Sequence, residues 1–137
     1  MLALVGSRFT LITSIVAHLF APSQPARLSP GIYATGASSH VQIVRMGQRF
    51  CLATVSRNET TFASVRPDRN RPGLYQVNGF PGMVISQRNS NTILWGSPSQ
   101  MVKGSRDRQK EQANLPIPKD LQRCLSSNKP FFSRGKG

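Results

Sequence analysis

Between Gly31 and Gly96 the chain never runs more than a few apolar residues before a glycine, proline or asparagine interrupts it. Helices need longer uninterrupted stretches with a 3.6-residue period, and no window here carries one. The spacing instead predicts short β-strands joined by tight turns. The expected strands are Gly31–Thr35, His40–Arg45, Arg49–Val55, Thr60–Val65, Leu74–Val77, Met83–Gln87 and Thr92–Trp95. Short strands in such close succession pair with their neighbours and curl into a small antiparallel barrel or sandwich. The fold class expected is therefore mainly β, over residues 30–102, with a short helix added near the C-terminus.

Two stretches within this region resemble each other. Pro30-Gly31-Ile32-Tyr33 recurs as Pro72-Gly73-Leu74-Tyr75. With a one-residue offset Val41 then meets Val84, Arg45 meets Arg88, and Phe50-Cys51-Leu52 meets Ile93-Leu94-Trp95. The pattern suggests two similar three-stranded meanders, set against chance likeness between short strands. Tyr33 and Tyr75 would then hold equivalent places, rings in the core and hydroxyls at its edge.

The charge is one-sided: 18 Lys and Arg against 5 Asp and Glu, a formal net charge of +13. Such a field attracts phosphates, anionic lipids and acidic polymers. Up to Met101 every basic residue is Arg, and from Lys103 onward Lys and Arg mix. That shift coincides with a fall in hydrophobicity and places the end of the β domain near Val102. Within the β domain Arg45, Arg49, Arg57, Arg66, Arg69, Arg71 and Arg88 fall at strand ends or turns. Charges there keep strand edges solvated, and they also suit a shared cationic face. Arg66-Pro67-Asp68-Arg69-Asn70-Arg71 is the densest run, where three guanidinium groups can converge on an anion. Arg66, Arg69, Arg71, Arg45 and Arg88 are the candidate anion-binding residues.

Ahead of the β domain, Phe9 to Ala21 reads FTLITSIVAHLFA, after Arg8 and before a Pro- and Ser-containing stretch. This fits a secretory signal over residues 1–23, with Ala21 and Ser23 as the small residues at a cleavage site. The apolar stretch counted from Met1 also approaches the length of a bilayer span. An uncleaved membrane anchor, contacting lipid through residues 1–21, is thus the alternative. Residues 24–29 read as a linker.

Behind the domain, residues 103–118 read as a polar linker and residues 128–137 as a tail. Residues 119–127 carry Leu121, Cys124 and Leu125 on one face of a short helix. Cys51 lies in an expected strand, and an exported domain of this size gains from a disulfide. A Cys51–Cys124 bridge would clip the helix to the sheet, whereas free buried thiols would leave it held by a small apolar face alone.

The remaining residues argue against catalysis. Zinc needs clustered Cys and His ligands, and those of this chain are far apart in sequence. A Cys51–His40 nucleophilic pair has no supporting residues around it. Glu59 and Asp68 are the two carboxylates of the β region, both in loops, and make a poor acid–base pair. No phosphate-binding glycine motif is present, and no cofactor is implied. Asn58-Glu59-Thr60 matches the glycosylation sequon, a three-residue pattern common by chance. The expectation is a secreted or periplasmic, non-catalytic module whose partner is an acidic protein, a polysaccharide or an anionic lipid surface. Were the N-terminal segment not an export signal, the basic surface would instead suit a nucleic acid.

Overall fold

A computed structural model describes residues 27–113 and 116–136. The proposed signal or anchor, residues 1–23, lies outside the described residues. Among the described residues nine strands form one sheet: β1 (Gly31–Gly36), β2 (Ser39–Met46), β3 (Arg49–Val55), β4 (Glu59–Pro67), β5 (Tyr75–Val77), β6 (Val84–Asn89), β7 (Thr92–Ser97), β8 (Gln100–Arg106) and β9 (Phe132–Lys136). The first eight pair in chain order, each antiparallel to the next. β8 then pairs with β1, Tyr33 opposite Arg106 and Ala34 opposite Ser105. The result is a closed up-and-down barrel, which leaves few strand edges unpaired.

Alternation along the strands divides inside from outside. Phe50 and Leu52 of β3 join Tyr33, Val41, Ile43, Ala63, Val77, Ile85 and Ile93 in the barrel interior. Cys51 and Ala53, the residues between, belong to a second cluster with Phe62, Leu121, Cys124 and Leu125. That outer cluster is the seat of helix α2 (Lys119–Ser126); a shorter helix, α1 (Arg108–Gln112), lies between β8 and α2. Cys51 and Cys124 are joined by a disulfide, with Cα atoms 6.2 Å apart. Arg49 reinforces the attachment by donating Nε to the Cys124 carbonyl and Nη2 to the Lys129 carbonyl, both at 2.6 Å.

All seven expected strands are present, and two more lie where a linker and a tail were expected. The boundary near Val102 falls inside β8, and the supposed linker 103–118 holds the second half of that strand and α1. β8 escapes a reading by hydrophobic alternation because Gly104 takes an inward position. A Cβ there would come within 2.7 Å of the Ile93 side chain. The supposed tail contains β9, which pairs with Glu59–Ala63 of β4. β5 is only three residues long and pairs with β4 at Val65–Pro67, so β9 occupies the rest of that edge. Phe132 of β9 stands edge-on to Phe80, ring centroids 5.2 Å apart. The supposed linker 24–29 also contributes to the core: Leu28 is 2% exposed and packs in the interior cluster.

The two similar stretches become β1–β2–β3 and β5–β6–β7, so each is a meander as expected. Their faces do not fully correspond. Val41 is interior, but in the second meander the interior residue is Ile85 and not Val84. Tyr33 is fully buried, and its hydroxyl donates to the Ser29 carbonyl at 2.8 Å. Gln87 donates to the same hydroxyl at 3.1 Å and accepts from the Ser29 amide at 3.0 Å. These bonds and Leu28 seal one end of the barrel.

Candidate functional site

In an up-and-down barrel every second connection lies at the same end. The β2–β3, β4–β5 and β6–β7 turns and the exit of β8 share the end sealed by Leu28. Arg45 lies at the end of β2, Arg66 at the end of β4, Arg69 and Arg71 in the following turn, and Arg88 at the end of β6. All five candidate residues are therefore at one end, and all five are exposed. Arg27, Arg49, Arg106 and Arg108 lie at that end too.

The side chains are not equivalent. The Asp68 carboxylate, nearly covered by its own loop, accepts from Arg71 Nη2 at 2.7 Å and Nε at 3.1 Å. It also accepts from the Asn70 and Arg71 amides at 2.9 and 3.1 Å and from Gln76 Nε2 at 3.2 Å. Donation from Arg71, followed by the Asn70 amide and Gln76, pushes the Asp68 pKa down to about 2. Arg71 is thus turned to hold its loop. The expected convergence of Arg66, Arg69 and Arg71 on one anion gives way to a different arrangement. Arg66 donates through Nε and Nη2 to Gln76 Oε1 at 3.0 and 2.7 Å, which fixes its head without neutralising it. Arg66 and Arg71 flank one outer groove of about 300 Å³ beside the Asn78–Val84 segment. Arg45 lies over the Phe50 ring, 5.8 Å from its centroid. Among the described residues Arg45, Arg66, Arg69 and Arg88 make no ion pair. Arg106 is neutralised by Glu111 at 2.8 Å, and its donation holds the Glu111 carboxyl below the usual range.

Two imagined catalytic pairs are separated by the register. His40 is opposite Val55 while Cys51 is opposite Val44 and committed to the disulfide. Glu59 and Asp68 sit at opposite ends of β4. No group of three Cys, His, Asp or Glu that could hold a metal is found among the described residues. Nor is any described helix long and apolar enough to cross a membrane.

The opposite end of the barrel is open and is a feature that charge and motif reading passed over. The inward positions of β1 to β4 change from Tyr33, Val41, Leu52 and Ala63 to Thr35, Ser39, Thr54 and Thr61 one step along each strand. With Trp95, Phe80 and Val102 these line a cavity of about 330 Å³. The signal in the sequence is a hydroxyl residue two positions from an apolar one in four successive strands. It becomes readable only once the strand directions are known. Comparison with protein-family models, curated proteins and solved structures finds no match to this chain.

Proposed function

We propose that this chain is an exported, non-catalytic barrel that binds an anionic partner through its arginine-bearing end. One observation carries the reading: the strand directions gather Arg45, Arg66, Arg69, Arg71 and Arg88 at one end, where Asp68 neutralises Arg71 alone. Guanidinium groups spread around a rim suit repeated carboxylates, sulfates or phosphates better than one small anion. Those groups are presented by an acidic polysaccharide, an acidic protein or an anionic lipid surface. The Cys51–Cys124 disulfide supports an oxidising compartment. Residues 1–23 serve either as a cleaved signal or as an anchor that keeps the domain at a membrane.

Chromatography on heparin tests the surface. Wild-type protein should elute only at high salt, and Arg45→Gln, Arg69→Gln and Arg88→Gln together should bring elution to markedly lower salt. Elution of the wild type at low salt refutes the cationic surface. N-terminal sequencing after cell fractionation tests the compartment. A chain outside the cytoplasm beginning near Gln24 supports a cleaved signal, and an intact chain in the membrane fraction supports the anchor. A soluble cytosolic chain retaining Met1 overturns export and turns the same surface towards nucleic acid.

A further inference from the structure

The open mouth opposite the arginine-bearing end has the chemistry of a small-molecule site. Barrel mouths are common places for ligands, and a cavity of about 330 Å³ is large enough for one six-membered ring with its substituents. Most of its polar groups are hydroxyls, with His40 and Glu59 beside them. Thr35 Oγ1 donates to Ser39 Oγ at 3.0 Å, and Thr54 and Thr61 hydroxyls bond each other. Each pair uses one of its two protons, so each retains an O–H donor and free lone pairs for a third partner. A group that both donates and accepts is best met by another hydroxyl. The apolar part of the lining includes two aromatic rings, Trp95 and Phe80, beside Val55 and Val102. An aromatic face packs against the C–H face of a saturated ring.

Charge at the mouth is muted. Glu59, at its edge, is ion-paired with Arg134 of β9. His40 lines the same cavity, and burial, with Lys110 nearby, lowers its pKa and favours the neutral imidazole. Arg45, Arg66, Arg69 and Arg88 sit at the other end of the barrel, and Arg57, exposed in the β3–β4 turn at this end, does not line the cavity. A neutral ligand is therefore favoured over an anion.

We propose that this mouth binds a single neutral sugar ring, free or at the end of a glycan, with its C–H face against Trp95 and its hydroxyls on the Thr35–Ser39 and Thr54–Thr61 pairs. The site is independent of the anionic partner proposed for the other end.

The chain has one tryptophan, so its fluorescence reports on this cavity directly. The full chain with its disulfide intact is titrated with methyl glucoside, methyl galactoside, methyl mannoside and N-acetylglucosamine, and with cyclohexanol as a ring bearing a single hydroxyl. At least one sugar should give a saturable change with a dissociation constant in the millimolar range. Added salt should leave it unaltered, unlike heparin retention. Thr54→Val with Thr61→Val removes two hydroxyls at nearly constant volume and should weaken binding at least about tenfold, with melting unchanged or raised. Val102→Arg, at an exposed position of the rim, should abolish binding without unfolding the barrel. An oligosaccharide bound at least about tenfold tighter than its terminal methyl glycoside assigns the site to a glycan end, and equal affinities assign it to the free sugar. The proposal is overturned if no sugar gives a saturable change, if cyclohexanol binds as tightly, or if the folded double Val variant binds as well as wild type. Heparin retention is measured on the same variants, so loss of one site is distinguishable from loss of the other.

Discussion

Replacing Cys51 and Cys124 by alanine is the perturbation whose magnitude follows most directly from the structure. The bridge joins residues 73 positions apart, and closing a loop of that length removes about 4 kcal/mol of chain entropy from the unfolded state. Both sulfurs are buried between β3 and α2, so the substitution also removes a small packed volume. The contacts of Leu121 and Leu125 and the Arg49 bonds to the Cys124 and Lys129 carbonyls remain available to seat the helix. The expected loss is therefore about 4 kcal/mol. Urea unfolding followed by near-ultraviolet circular dichroism measures it. With a slope of about 2 kcal/mol per molar urea, the midpoint should fall by about 2 M. The slope itself should rise, because the unbridged unfolded chain exposes more surface. A midpoint shift below about 0.5 M would refute the reasoning. It would mean that the unfolded chain is already compact between these residues.

Three further outcomes are expected. Asp68 has a folded pKa of about 2, below the usual carboxylate value of about 3.9, so its contribution is complete above the higher value and lost as pH falls towards the lower one. Thermal melts from pH 6 to pH 2 should therefore show a stability loss over that window that Asp68→Asn lacks, and identical pH profiles would contradict the loop assignment. Gly79 has φ +84°, and a Cβ there would run into the Phe132 ring, whereas Gly47 has φ +61° and open space around it. Gly79→Ala should cost about 2 kcal/mol more than Gly47→Ala, seen as a melting temperature lower by about 10 °C; equal melting temperatures would deny β9 its place. Tyr33→Phe leaves the Ser29 carbonyl and the Gln87 amide short of a partner and should cost about 1–2 kcal/mol in the same melts.

The parts of this fold that could be read from sequence are those where alternation and turns agree. β3 reads Arg-Phe-Cys-Leu-Ala-Thr-Val, with Phe50 and Leu52 inside and Cys51 and Ala53 beneath a helix. The spacing of Leu121, Cys124 and Leu125 located that helix, while the disulfide, one of two readings of its cysteines, rests on the close approach of Cys51 and Cys124 that the fold brings about. β8 was hidden because its inward residues include Gly104, whose virtue is the room it leaves for Ile93. β9 offers Phe132 as its one large apolar residue and depends on a neighbour, the short β5, that sequence alone does not measure. Leu28 stands alone between Arg27 and Ser29, and its burial follows from closure of the barrel end around it. At the arginine-bearing end the residues were legible but the company they keep was not, since Arg71 belongs to Asp68. The hydroxyl layer at the open mouth was invisible for the same reason as β9. It consists of residues drawn from four strands, and only their shared direction makes them one surface.

The C-terminal strand also bears on the order in which the wall can be completed. β1 to β8 can form as successive hairpins, each using residues close in sequence, but the β1–β8 and β4–β9 pairings must wait for distant parts of the chain. Until residues 132–136 arrive, the first half of β4 offers a row of unpaired amides and carbonyls beside Phe80 and Phe62. A nascent or truncated chain therefore carries a ready template for another strand, and self-association of such intermediates is governed by how quickly β9 reaches its place.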